Sequence, residues 1–460
     1  MIINESYIEN EMFSADDVGT VFIYKDRVFR GINKLFIDKI KKLFECGLID
    51  ELIEKNLIPK TWLTDYKSDK YNLIVEHRKI EKISYCFEWS FSMLKDAALL
   101  ILNIEGIANK YGYQLKDPHA YNVVFDLNQM LYIDLGSFVE REEESVWIGR
   151  NDFVNSFYVP LILMSKGRVD LGRILLYQYN YLSFEEYLRI INPFFAILPS
   201  ETLRLIKLLN NLAYANNDII EKKLDKKTLI LFAIKVRNIL NKKFNTSYFY
   251  RYIVTLEKPK SYSTFWAEYH NSIDPCANQR MIYIKNIIKK LPNIRNCLEI
   301  GANQGVFLEY ILNSTDIHYG IGVDYDEGAI DKMYLSNKDN TKIQAVLANP
   351  FTPDLSDYYP SFYERFKSDL VIGMAVTHHL ILTQKIDISY IVNKFHSLTN
   401  NYLIIEFMPL GLYSGDEFNI PELPFFYNED WFIRNIKNKF NIISRRHVEK
   451  NRIVFLCQKI

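Results

Sequence analysis

The span LKDPHAYNVVFDLNQMLYIDLGSF, residues 115–138, places Asp117, His119, Asn122 and an Asp134-Leu135-Gly136 triplet close together. Phosphoryl transfer needs a carboxylate beside the attacking hydroxyl and two oxygen ligands for magnesium. Asp117 and Asn122, with Asp134 twelve residues beyond Asn122, supply that set of groups. The competing reading is that Asp117 and Asp134 only cap turns and order a hairpin. A second set lies further along. CLEIGANQGVFLEYIL reads as strand, glycine turn and helix, with Gly301 and Gly305 framing the turn around Asn303. Asp324 ends the next apolar run, where a carboxylate accepts hydrogen bonds from two ribose hydroxyls. Glu299, at the end of the first run, would face a cationic part of a nucleoside cofactor. The full G-x-G-x-x-G pattern is absent, which points away from NAD and toward S-adenosylmethionine.

Each set needs elements to hold it. NVVFD and MLYID read as two strands joined by a turn at Leu127-Asn128-Gln129, which sets Asn122 and Asp134 at one mouth. A helix is expected over 90–112, with Gly112 as its stop. Upstream, TVFIYKDRVFRGI reads as a hairpin turning at Lys25-Asp26. A helical stretch follows over 35–56, then strands in TWLTDYK and YNLIVEH. Residues 86–255 read as mostly helical, to LILFAIKVRNILNKKF. Beyond about residue 256, NCLEI, YGIGVD, IQAVLA, DLVIGM and YLIIEF alternate with helical segments. That alternation predicts a doubly wound parallel sheet. His378 and His379 follow the fourth run, where such a fold faces substrate. A histidine there takes a proton from a hydroxyl or amine, or else one packs and the other caps a helix.

Bulk properties bound the function. The chain has 460 residues, so two or three domains are expected, with the main boundary near 250–275. Lys+Arg and Asp+Glu both number 56, so charge gives no general pull toward nucleic acid or anionic membrane. Five scattered cysteines without a CxxC pair predict free thiols in a reducing cytoplasm, and no zinc site. The N-terminus has neither a basic start nor an apolar run. No apolar run approaches the ~20 residues that span a bilayer. Aromatic runs at 84–94, 155–164 and 245–254 could stack on sugar rings or fill the core, and EKKLDKKTL reads as a solvated helix face.

LEIGANQG, GVDYDEGAID, DLVIGMAVTHHL and LIIEFMP resemble the successive strand ends of class I S-adenosylmethionine-dependent methyltransferases. The chain is similar in particular to long nodulation-protein-like methyltransferases, a likeness that extends upstream to STFWAEYH, ISYCFEWSFSMLKDAALL and LKDPHAYNVVFD. The resemblance implies a Rossmann-like domain at 256–460 that binds S-adenosylmethionine through Glu299, Gly301, Asn303, Gly305 and Asp324. It also implies modification of a small-molecule or carbohydrate acceptor, such as O-methylation of a surface sugar. One departure concerns adenine: Val346 or Leu347 stands where an acid is expected, and either Asn349 or backbone groups would take its place.

DPHAYN resembles the D-x-H-x-x-N loop of aminoglycoside-phosphotransferase-like kinases. It implies an α+β kinase-like domain over 1–255, with NLIVEH as its adenine-facing hinge and Arg30 as its phosphate-binding cation. A glycine-rich phosphate loop is missing. Arg30 replaces the usual lysine, and Glu45 and Glu51 compete as its helix partner. The expectation is a degenerate domain. The alternatives are a bifunctional enzyme using Mg–ATP, with magnesium at Asn122 and Asp134, and a non-catalytic nucleotide-binding scaffold.

Overall fold

The computed structural model describes residues 3, 10–11, 17–142, 146–178, 245–264, 267–268, 274–352, 360–413 and 421–460. The expected helix at 229–244 and the basic run at 221–229 lie outside these residues.

The chain begins with a five-stranded antiparallel sheet in the order β1 (Asn10–Glu11), β2 (Gly19–Tyr24), β3 (Arg27–Ile32), β5 (Leu73–His77), β4 (Thr61–Leu63). β2 and β3 form the expected hairpin. Lys25 and Asp26 both take left-handed dihedrals, φ 49° and 59°, which match a tight two-residue turn to the strand twist. Two helices, α1 (Ile37–Glu45) and α2 (Leu48–Glu54), connect β3 to β4. The sequence suggested one helix there; Gly47 at φ 85° breaks it.

A 20-residue helix, α3 (Phe91–Lys110), runs through the core and ends just before Gly112, at φ 79°. After it come β7 (Tyr113–Leu115), paired with β10 (Phe138–Glu140), and the hairpin of β8 (Val123–Asp126) and β9 (Gln129–Tyr132), with β6 (Ile83–Ser84) at its edge. Leu127 adopts φ 56° in the hairpin turn. Helices α4 (Val159–Ser165), α5 (Val169–Gln178) and α6 (Thr246–Thr255) follow. The aromatic runs are largely packing: Trp89, Phe91, Phe157 and Phe249 are buried, and Phe249 contacts Phe153 and Tyr158.

The rest is a seven-stranded sheet. Its order is β13 (Ile343–Leu347), β12 (Tyr319–Asp324), β11 (Asn296–Ile300), β14 (Ser368–Gly373), β15 (Thr399–Phe407), β17 (Arg452–Lys459), β16 (Phe440–Glu449). The first five strands are parallel; β17 pairs antiparallel with β15 and β16. The doubly wound sheet is therefore as expected, but the closing antiparallel pair was not foreseen. Along β16, exposed and half-buried residues alternate, so it lacks the continuous apolar run of its neighbours. Helices α7 (Gln279–Ile288), α8 (Val306–Ser314), α9 (Glu327–Ser336), α10 (Ile388–Leu398) and α11 (Glu429–Ile436) pack around it. Strand order reverses between β11 and β14, and a crevice opens beyond their carboxyl ends at such a reversal.

One apolar core crosses both regions. It joins Leu94, Ala98 and Phe125 to Ile330, Met333, Tyr334 and Ala345. Where α3 meets α9, the buried Asp331 carboxylate accepts from Ser90 Oγ at 2.8 Å, Ser92 N at 2.9 Å and Ser92 Oγ at 3.0 Å. Arg365 forks onto Glu88 at 2.8 and 2.6 Å, and Tyr334 donates to Asp96 at 2.7 Å.

Candidate functional site

The turn after β11 is tight and left-handed at three positions. Gly301, Asn303 and Gly305 all take positive φ, 74°, 52° and 75°. Gly301 N and Ala302 N both donate to Val323 O, at 2.8 and 3.0 Å, so the turn is bolted to β12. A Cβ on Gly301 would lie 2.6 Å from Val376 Cγ2, and one on Gly305 would lie 2.9 Å from Met333 Cγ. The turn therefore tolerates no side chain at either position.

Asp324, at the end of β12, is buried beside this turn. Its Oδ2 accepts from Asn303 N at 2.8 Å and its Oδ1 from Asp326 N at 2.9 Å. Burial raises its carboxyl from the ordinary range, while these backbone donors hold it down. Each oxygen keeps a further lone pair for a ligand hydroxyl.

Glu299, on β11, is only 3% exposed, and its Oε2 has no partner among the described residues. Burial pushes its carboxyl up to about 8, against the pull of Arg280. Asn349 follows β13, but its Oδ1 already accepts from Phe351 N at 3.0 Å, which makes it a turn cap first. Leu347 sits opposite Asp324 in the strand register and is buried.

Beyond β14 the chain turns at Ala375, φ 53°, before Thr377, His378 and His379. Glu406, fully buried at the end of β15, anchors this loop. It accepts from Ala375 N at 2.8 Å, and its carbonyl accepts from Thr377 Oγ1 at 2.7 Å. Arg280 from α7 and Arg452 from β17 neutralise it, at 3.3 and 3.0 Å. His378 is buried, with Nδ1 unpartnered in the described protein, and its ring centroid lies 4.1 Å from that of His379. Burial, then His379 and Arg452, push His378 down to about 3; burial also lowers His379. Both imidazoles are held toward their neutral form. A cavity of about 420 Å³ lies among Leu382, Lys385, Leu412, Leu423 and Pro424, on the loops after β14 and β15.

Sequence reading missed Arg280 and Arg452; it placed Glu406 at the end of the fifth strand as structural or substrate-facing, and its bonds here are structural. Neither arginine lies at a parallel strand end, where chemistry was sought. An arginine in the helix before the first strand carried no recognisable spacing.

The N-terminal set also converges. Asn122 Nδ2 donates to Asp117 O at 2.9 Å and lies 3.2 Å from His119 Nε2 and 3.4 Å from Asp134 Oδ2. Asp134 Oδ1 accepts from Gly136 N at 3.0 Å, and Arg30 Nη1 stands 3.5 Å away. Arg30 is buried on β3, whereas the Asp117 side chain is 43% exposed beside Lys116. Burial pushes His119 down to about 4, against the charge of Asp117. Glu51 is taken by Tyr111 OH at 2.8 Å, and Glu45 lies exposed on α1. The five cysteines are free, and no helix among the described residues is long and apolar enough to cross a membrane.

No family model matches the chain. It is 22% identical to the nodulation protein NoeA of Rhizobium meliloti (strain 1021), over an alignment covering 94% of this chain and 91% of that protein. That similarity runs across both the five-stranded and the seven-stranded sheets. Among solved structures, it is similar to the N-methyltransferase NodS of Bradyrhizobium japonicum WM9 in complex with S-adenosyl-L-homocysteine. The TM-score is 0.31 at 12% identity, covering 43% of this chain and 94% of that one. A SAM-dependent methyltransferase from Aquifex aeolicus gives a TM-score of 0.30 at 11% identity, over 41% of this chain and all of that one. One from Clostridium acetobutylicum ATCC 824 gives 0.31 at 13% identity, over 43% and 98%.

Proposed function

We propose that the chain is an S-adenosylmethionine-dependent methyltransferase acting on a small-molecule acceptor, with residues 256–460 as the methyl-transferring unit. The observation that carries this reading is the buried Asp324 carboxylate, held by backbone donors beside a glycine turn that admits no side chain, at the point of strand reversal. Asp324 would take the ribose hydroxyls, Glu299 the ammonium, and the Gly301–Gly305 turn the close approach of the nucleoside. Asn349 is the side chain nearest in sequence to the adenine position. The cofactor supplies a methyl group on an already activated sulfonium.

The protein's part is then positioning. The loop held by Glu406 presents His378 and His379 to the acceptor. As neutral imidazoles they orient a hydroxyl or amine by hydrogen bonding, and they are weak bases. The recess among Leu382, Leu412 and Leu423 offers the acceptor apolar contact. A carbohydrate acceptor and a cytoplasmic location agree with the sequence resemblance and the free thiols. Calorimetric titration with S-adenosylmethionine tests the reading. Asp324→Ala should weaken binding by about 10-fold or more, since it removes charge-assisted hydrogen bonds. Unchanged affinity would remove Asp324 from the site.

A second reading concerns residues 1–255 as a kinase-like unit. Arg30, Asn122 and Asp134, from three separate elements, meet around one carboxylate. That convergence favours a magnesium-nucleotide site, with Asp117 toward the acceptor hydroxyl. The absent glycine loop favours binding over turnover. Titration with Mg–ATP should give saturable binding that Asp134→Asn abolishes; no binding to the unaltered protein leaves the cluster a structural one.

A further inference from the structure

The turn that carries Asp324 is held from outside the seven-stranded sheet. Asp326 N donates to Asp324 Oδ1 at 2.9 Å, and Asp326 Oδ1 caps α9 by accepting from Ala329 N at 2.8 Å. The next residue, Glu327, is the first of α9, and Arg173 Nη2 from α5 donates to its carboxylate. The same guanidinium donates to Trp89 O at 2.9 Å and Phe87 O at 3.1 Å, in the segment leading into α3. Tyr262 presses on the turn from another side. A Cβ on Gly328 would collide with Tyr262 O, and the Tyr262 hydroxyl bonds both Glu327 and Phe91 N.

This clamp has an electrostatic reason. Asp324, Asp326 and Glu327 put three acids into four residues. Arg173 and Glu327 are shielded, with side chains 16% and 15% exposed, so their attraction is weakened little by water. Burial raises the Glu327 carboxyl from its ordinary range, and Arg173, then Tyr262, pull it back. A planar guanidinium with acceptors on two elements fixes the angle of what it holds. The far end of α5 is fastened too: Tyr121 OH, from the loop of His119 and Asn122, donates to Leu176 O and Tyr177 O.

We propose that Arg173 is a positioning residue for the cofactor site: from the N-terminal region it fixes the start of α9, and so aims the Asp324 carboxylate at the ribose hydroxyls. One role of residues 1–255 is then to complete the methyltransferase site. The inference rests on the S-adenosylmethionine reading above and adds to it a residue from outside 256–460.

The test asks whether Arg173 acts on the ribose contact in particular. Calorimetry on the full chain compares S-adenosylhomocysteine with its 2′-deoxy analogue, which lacks one of the two hydroxyls. The unaltered protein should prefer the ribose form by about 10-fold or more. Arg173→Gln should weaken S-adenosylhomocysteine about 10-fold but the deoxy analogue less than about twofold, so that the preference nearly vanishes. Arg173→Lys, which returns a cation to Glu327, should recover part of it. Glu327→Gln removes the same attraction without touching the carbonyl bonds, and serves if Arg173→Gln does not fold. It should also shrink the preference, and the double variant should lose no more than either single one. Equal weakening of both ligands, or of neither, overturns the proposal, since a general loosening does not distinguish the hydroxyl. If the unaltered protein binds neither ligand, or binds both equally, the ribose site at Asp324 itself fails and the role of Arg173 goes with it.

Discussion

At Glu299 burial changes the protonation state. With its carboxyl pushed up to about 8, it holds its proton at pH 7 in the ligand-free protein. An ammonium placed beside it favours the ionised form, so binding should expel that proton. Titration of S-adenosylmethionine at pH 7, in buffers of different ionisation enthalpy, should show net release approaching one proton. Glu299→Gln should abolish the release, and an unchanged release would assign the proton elsewhere. The same shift links to stability. Between about pH 4.5 and 8 the folded state keeps a proton that the unfolded state has lost, so this group's contribution declines as pH rises through that window. His378 acts in the opposite sense. Held neutral down to about 3, it costs stability as pH falls below its ordinary value of 6.5.

At the scale of elements, α9 is the piece that joins the two regions. It starts just after Asp324 and Asp326, and its buried Asp331 caps the start of α3 from outside that helix. A carboxylate at a helix N-terminus meets otherwise open N–H groups and the positive end of the helix dipole. Asp331→Ala would leave Ser90 Oγ, Ser92 N and Ser92 Oγ without this acceptor in a largely buried seam. The expected loss is about 3 kcal/mol of unfolding free energy, read from the denaturant midpoint. A loss below about 0.5 kcal/mol would mean that solvent reaches this seam and satisfies the serines.

On the scale of the whole molecule, the apolar core passes without a break from the hairpin of β8 and β9 through α3 to α9 and β13. Asn128, in the hairpin turn, also donates to Asn340 O at 3.0 Å, and Leu127 N to Gln344 Oε1 at 3.2 Å. The hairpin that separates Asn122 from Asp134 thus has its tip seated on the seven-stranded sheet. The two candidate sites belong to one packed body in which the loop of one touches the scaffold of the other.

Much of this was legible in the chain alone, because the signals were local. The alternation of apolar runs and helices announced the parallel sheet, and Gly301, Gly305 and Asp324 carry a spacing set by one strand, one turn and the next strand. Lys25-Asp26 and Leu127-Asn128 lay between strand-like runs, so both hairpins could be read. The closing strand β16 escaped notice because it lacks a continuous apolar run; β17 does carry one, Ile453–Cys457, and was overlooked beside it. The pairing of Glu406 with Arg280 and Arg452 escaped because they are 126 and 46 residues away from it and only the folded sheet brings them together. Nothing local marks Asp331 for burial; the packing of α9 against α3 decides it. Sequence determined the elements and the glycine turn, since those depend on neighbouring residues. Tertiary structure alone decided which buried charges meet and which polar atoms are left open, since that depends on what the fold brings to one face.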